Sequence, residues 1–189
     1  YNITTFCAPP TMLRMMIKQD ISKYDLSSVK HMTTAGEALN PEVYRQFEKA
    51  TGLQILEGFG QSESTMMIGN MTGAAHKIGS MGKPAPIYDV ELVDAEGNPV
   101  AVGETGEIVV NLKNGSPCGL SVGYYNDPEK TAEAFILNPL NTAYPEYIYR
   151  TGDMGKYNEY GELVFISRRD AQIKHQGHRI ELGEIEAVT

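Results

Sequence analysis

A helix with both ends written into the sequence lies between two β-favouring runs, and this arrangement constrains the fold more than any other feature of the chain. Asn40 is a strong N-cap and Pro41 suits the first helical position, after which Val43, Phe47 and Ala50 form an apolar stripe until Gly52 stops the helix. The flanking runs, Val29 to Thr34 and Gln54 to Phe59, read as strands. Upstream, a short run from Ile3 to Phe6 and a helix over Pro10 to Gln19, with Met12, Leu13, Met16 and Ile17 on one face, repeat the rhythm. Strands joined by helices pair in parallel, and ligands of parallel sheets gather beyond the strand carboxyl ends. The segments Thr34 to Leu39 and Gly58 to Glu63 are expected at two such ends.

From about Gly79 the pattern changes to strands and tight turns. Asp89 to Asp94 and Gly106 to Leu112 are extended around the turn Glu96-Gly97-Asn98-Pro99, with glycine spacing that suits a small, distorted barrel. Asp127 and Pro128 begin a short helix through Phe135, Asn138 to Pro145 is a loop, and Tyr147 to Tyr149 is extended. A hairpin at Tyr157 to Glu162 leads into the strand Leu163 to Ser167. The expected class is α/β, with a parallel βαβ sheet portion over residues 1–80 and a β-rich, barrel-like portion over 81–166.

Composition narrows the function. The chain has 189 residues, 41% hydrophobic and 21% charged, enough to bury a core. Its formal net charge of -8, with no basic run, argues against a nucleic-acid partner, whereas a local anion site can still be built from loop amides and a few arginines. Cys7 and Cys118 have no metal-like or disulfide-framework spacing, and a cytoplasmic, reducing setting is the simplest reading. No apolar run reaches the ~20 residues of a membrane span.

Gly58-Phe59-Gly60-Gln61-Ser62-Glu63 is the segment most able to carry chemistry. Its glycines let the backbone approach a planar or phosphorylated ligand, Ser62 offers a donor to a phosphate oxygen, and Glu63 offers a hard oxygen ligand for magnesium. A plain glycine-rich turn closed by a solvated Ser-Glu pair fits the hexapeptide equally well. The run Met66, Met67, Ile68 can form an adaptable apolar wall or simply core.

The hexapeptide resembles the nucleotide-binding loop of adenylate-forming enzymes, and further segments resemble motifs of that superfamily in the same order. Thr34 to Leu39 is similar to its adenine-side loop, Tyr149-Arg150-Thr151-Gly152-Asp153 to its ribose motif, Ser167 to Lys174 to its interdomain hinge, and Gly177 to Leu182 to the first loop of its small domain. The upstream part looks most like medium-chain or broad acyl-CoA synthetases, and the end more like peptide-synthetase adenylation domains or D-alanine ligases.

The resemblance implies a fragment of a larger two-domain enzyme, with a hinge at 167–170 and the start of a small C-terminal α+β domain at 171–189. Tyr1 is not an initiator methionine; a phosphate-binding loop is expected upstream and a catalytic lysine downstream. ATP or AMP, Mg2+ and CoA are the implied cofactors, and the implied partners are a small carboxylic acid, ATP, and CoA or a carrier-protein pantetheine. Phe59 would stack on adenine, Glu57 lie near its amino group, and Gly36, Glu37 and Ala38 wall the other side, while Gly58, Gly60 and Gln61 complete the loop. Ser62 would contact the α-phosphate, Glu63 hold magnesium, Asp153 accept both ribose hydroxyls and Arg168 supply a cation. Arg169 reads as one half of an exposed ion pair. Asp170 would be the hinge, and Gln176, Gly177, His178 and Arg179 would meet the pantetheine thiol, with His175 and His178 solvated or near the nucleotide rather than metal ligands. Ser167 departs from the glycine usual before the arginine. Gly60, where acetate-specific relatives commonly carry an indole, would leave an open acyl channel.

Overall fold

The computed structural model describes residues 2–75, 77–170, 172–175 and 178–181. Three parallel strands, β1 (Thr5–Cys7), β2 (His31–Ala35) and β3 (Ile55–Gly60), are joined by α1 (Pro10–Met16) and α2 (Pro41–Thr51). The caps of α2 stand where the sequence puts them. Asn40 accepts the Glu42 amide at 2.8 Å, Pro41 opens the helix, and Gly52 closes it at φ +71°. Its buried face is Val43, Tyr44 and Phe47, whereas Ala50 is exposed: the position one residue after Val43 turns inward, and the stripe ends one turn early. Each of these large side chains contributes about 2 kcal/mol on burial. Helix α1 stops at Met16 rather than Gln19, because Lys18 and Gln19 bond to carbonyls three residues back and tighten the last turn. On it Leu13 is fully buried and Met12 exposed.

The sheet does not stay parallel. Strands β4 (Met66–Gly69) and β5 (Lys83–Pro84) extend it in antiparallel fashion, giving the order β1-β2-β3-β4-β5. Met67 and Ile68 are fully buried core, whereas Met66 is exposed.

The second sheet is antiparallel, in the order β10-β9-β7-β6, with β6 at Val90–Val93, β7 at Gly106–Asn111, β9 at Tyr147–Tyr157 and β10 at Leu163–Arg168. Between β7 and β9 the chain makes α3 (Pro128–Ala134), capped by Asp127 on the Lys130 amide, and β8 (Phe135–Leu137), which pairs with the first residues of β9. Phe135 thus opens a strand instead of ending the helix. Met67, Ile68, Tyr88, Leu92, Ile108, Val110, Tyr149 and Leu163 form a core common to both sheets. Where the two meet, Gly82 and Leu163 form a bridge, and the Ser80 hydroxyl donates to the Leu163 carbonyl at 3.2 Å. Strands β11 (Gln172–His175) and β12 (His178–Glu181) pair with each other as a separate hairpin.

Candidate functional site

The end of β3 and the middle of β9 converge, although about ninety residues of chain separate them. Gln61 makes the join: its Nε2 donates to the Thr151 carbonyl at 2.8 Å and to the Asp153 carboxylate, while its Oε1 accepts from Tyr149 Oη at 2.6 Å. Burial, reinforced by the nearby Glu63, Tyr124 and Asp153, pushes the Tyr149 phenol well above its ordinary value, so it remains a proton donor to Gln61. Glu63 is fixed from the opposite side, where Tyr124 Oη donates to Oε1 at 2.7 Å. Ser62 is exposed between them and Phe59 is half-buried against the shared core.

Asp153 owes its position to an irregularity in β9. Val109 pairs with Arg150 and Glu107 with Met154, so a single residue, Ile108, faces three on β9, namely Thr151, Gly152 and Asp153. Such a bulge re-aims side chains. The Thr151 hydroxyl repairs the ladder by donating to the Ile108 carbonyl at 2.7 Å and accepting the Asp153 amide at 3.1 Å, and Gly152 takes φ +72°, which a side chain would resist. Asp153 is 4% exposed, with Arg168 Nη1 at 3.3 Å. The Arg168 guanidinium also donates to both oxygens of Asp170 at 2.7 Å, a two-pronged ion pair. Beside it, Arg169 reaches a carboxylate that is almost wholly buried, Glu107, at 3.2 Å.

A second polar group lies under the N-terminus of α2. Glu57 is buried, accepts the Leu39 amide at 3.0 Å, and is pushed by that burial up to about 7. Thr34, its register partner on β2, and Asn70, whose amide bonds the Glu57 carbonyl, each carry a buried side-chain oxygen with no hydrogen-bond partner among the described residues.

Several expected site residues are brought together and others are not. Gln61, Asp153, Arg168 and Asp170 belong to one connected group, and Glu63, held by Tyr124, lies near the Tyr149 that bonds Gln61. Glu37 instead turns toward α1, accepting from Thr11 at 3.2 Å and pairing with Arg14 at 3.3 Å; Gly36 takes φ +92° and Ala38 is exposed. At Gly60 a side chain would place its first carbon 2.4 Å from the Thr65 carbonyl oxygen, so the close approach of the chain by itself accounts for a glycine at this position. Ser167 sits exposed in β10 after a register shift, where a side chain is accommodated. Gln176 and Gly177 lie outside the described residues, and His178 and Arg179 are described only as β12 backbone, with His178 opposite His175. Glu107, Tyr124 and the hydroxyl of Thr151 are the members that motif reading missed. A lone carboxylate in the apolar strand Gly106–Asn111 is a usable signal for the first; nothing marks Tyr124 apart from its exposed neighbour Tyr125.

Comparison with known proteins is consistent with this geometry. The family described as AMP-binding enzyme matches residues 1–125. Over 187 residues the chain is 41% identical to acyl-coenzyme A synthetase ACSM3, mitochondrial, of Rattus norvegicus, a match covering 99% of this chain and 31% of that protein. Among solved structures, the anthranilate CoA ligase AuaEII in complex with anthranoyl-AMP superposes with a TM-score of 0.78 at 28% identity, over 99% of this chain and 34% of that one. PA1221, a peptide-synthetase protein containing adenylation and PCP domains, superposes with a TM-score of 0.79 at 27% identity, over 97% of this chain and 37% of that one. The chain therefore spans about a third of the length of the relatives it matches.

Proposed function

The chain belongs to the AMP-binding enzyme family, and from that premise we propose that it forms the nucleotide site of an ATP-dependent, AMP-forming acyl-CoA synthetase acting on a carboxylic, fatty-type acid. The observation that carries the reading is the Gln61 bridge, which joins the loop after β3 to a buried carboxylate and guanidinium on β9 and β10. Asp153 can accept two adjacent ribose hydroxyls, Arg168 offsets the charge of the phosphates, and Ser62 stands exposed at the loop tip to donate to an α-phosphate oxygen. The chemistry needed is mostly positioning and charge neutralisation.

The residues present fit magnesium only as part of a nucleotide complex. Among the described residues no group of three His, Cys, Asp or Glu could hold a metal alone. Glu63 has one oxygen held by Tyr124 and the other available, which suits a single carboxylate ligand to an ion carried largely by phosphates. Bound there, the ion would neutralise triphosphate charge as pyrophosphate leaves.

The greater identity to an acyl-coenzyme A synthetase than to the peptide-synthetase protein favours CoA as acceptor over a carrier protein. The curated relative is named mitochondrial, and the two exposed, unpaired thiols Cys7 and Cys118 suit a reducing compartment. No helix among the described residues is long and apolar enough to cross a membrane.

The deciding experiment is ATP–pyrophosphate exchange by the full-length protein across a panel of fatty, aromatic and amino acids, followed by transfer to CoA. Exchange with fatty-type acids and a CoA thioester product are expected. Asp153→Ala should weaken ATP binding by on the order of 2 kcal/mol. Exchange with amino acids alone, or ATP dependence unchanged by Asp153→Ala, counts against the reading.

A further inference from the structure

Glu107 belongs to none of the motifs, yet both halves of the Asp153–Arg168 pair are tied to it. It is 3% exposed on β7. One oxygen accepts the Gly152 amide at 3.1 Å. The other takes Arg150 through Nε at 2.9 Å and through Nη2, and also Arg169 Nη1 at 3.2 Å. Gly152 immediately precedes Asp153, and Arg169 immediately follows Arg168. The Arg169 amide also donates to the Gly152 carbonyl at 2.7 Å, which closes the ring.

This placement answers a mechanical need. The bulge lifts Thr151 to Asp153 out of the regular ladder, so the ordinary strand bonds no longer determine where the Asp153 carboxylate points. Arg168 is the last residue of β10, where strand pairing ends. A buried carboxylate is tolerated only when paired and hydrogen-bonded, and Glu107 takes its partners from β9 and from just past the end of β10.

We propose that Glu107 is a positioning residue that holds Asp153 and Arg168 in register with each other, through the Gly152 amide and the Arg169 guanidinium, so that the pair is ready for a ribose. The proposal rests on the nucleotide-site reading above and adds to it a residue that touches no substrate. Arg169 becomes part of the device, although its side chain is 58% exposed.

Two substitutions in the full-length protein test it. Glu107→Gln keeps an acceptor for the Gly152 amide but removes the charge; Arg169→Gln alters only a mostly exposed side chain and leaves the Glu107–Arg150 pair intact. AMP affinity by calorimetry and the KM for ATP in pyrophosphate exchange should worsen roughly tenfold in the first and roughly threefold in the second, with kcat at saturating ATP falling less. The double variant should be little worse than Glu107→Gln, because both act along one path. A lowered melting temperature with unchanged AMP affinity and KM would reduce Glu107 to a structural role. If Glu107→Gln does not fold, wild-type values in Arg169→Gln suffice to overturn the proposal. Failure of the unmodified protein to bind AMP is a different result, which sinks the nucleotide-site reading itself.

Discussion

Glu57 is a carboxyl in an apolar setting, held by a single backbone amide, and its proton is worth free energy. Burial raises it from 4.5 to about 7, so between those values the folded chain keeps a proton that the unfolded chain has released. Folding stability associated with this group is therefore complete below about pH 4.5 and is lost as pH rises through 7, a change on the order of 3 kcal/mol. Glu57→Gln, which still accepts from Leu39, should flatten that slope: thermal unfolding between pH 5 and pH 8 should show a smaller decline for the variant than for the wild type. Equal slopes would mean that Glu57 is ionised in the fold. Such a state was not readable from the sequence, where the resemblance places Glu57 near an adenine amino group but nothing marks it as buried or protonated. Asp153, Arg168 and Glu63 were readable because each sits beside glycine or a turn in a recognisable order. Glu107 and Tyr124 were not, since their roles arise from partners about forty to sixty residues away that only the folded sheets bring near.

Helix α2 illustrates what local chemistry determines on its own: a cap, a proline and a terminal glycine set its limits without help from the rest of the fold. The return strand β4 shows the opposite. It lies antiparallel on β3 only because glycines at 58, 60 and 69 let backbone and the Met66 side chain come close, an approach visible in no local pattern. Gly60→Ala probes it directly. The added carbon would meet main chain, 2.4 Å from the Thr65 oxygen and 3.3 Å from the Met66 Cα, and main chain cannot rotate aside as a side chain can. A loss on the order of 2 kcal/mol in denaturant unfolding is expected, with weaker AMP binding because Gln61 follows immediately. Stability equal to wild type would show that the loop yields freely and that the close approach is not the reason for a glycine there.

The two sheets share a core and a site, and the chain leaves them at Arg168 to reach the separate β11–β12 hairpin. In the proposed enzyme the expected pivot is Asp170, which the structure shows clasped by both prongs of Arg168 while Arg168 also faces Asp153. The proposed ribose acceptor and the expected pivot are thus joined in one ion-pair chain, Asp153–Arg168–Asp170, and the expected pivot can be tested apart from the charge. Asp170→Asn removes the charge but leaves the backbone free; Asp170→Pro also fixes φ near -65° and deletes an amide donor. In the full-length protein, Asp170→Asn should retain both pyrophosphate exchange and thioester formation within about fivefold, since a half-exposed ion pair is worth little. Asp170→Pro should keep exchange and lose transfer to CoA if, as proposed, only the second step needs a rotation at this pivot after the adenylate forms. Loss of both steps in the proline variant alongside a lowered melting temperature would trace the defect to folding. Loss of neither would place the pivot elsewhere and leave Asp170 as a partner that steadies Arg168 for the nucleotide.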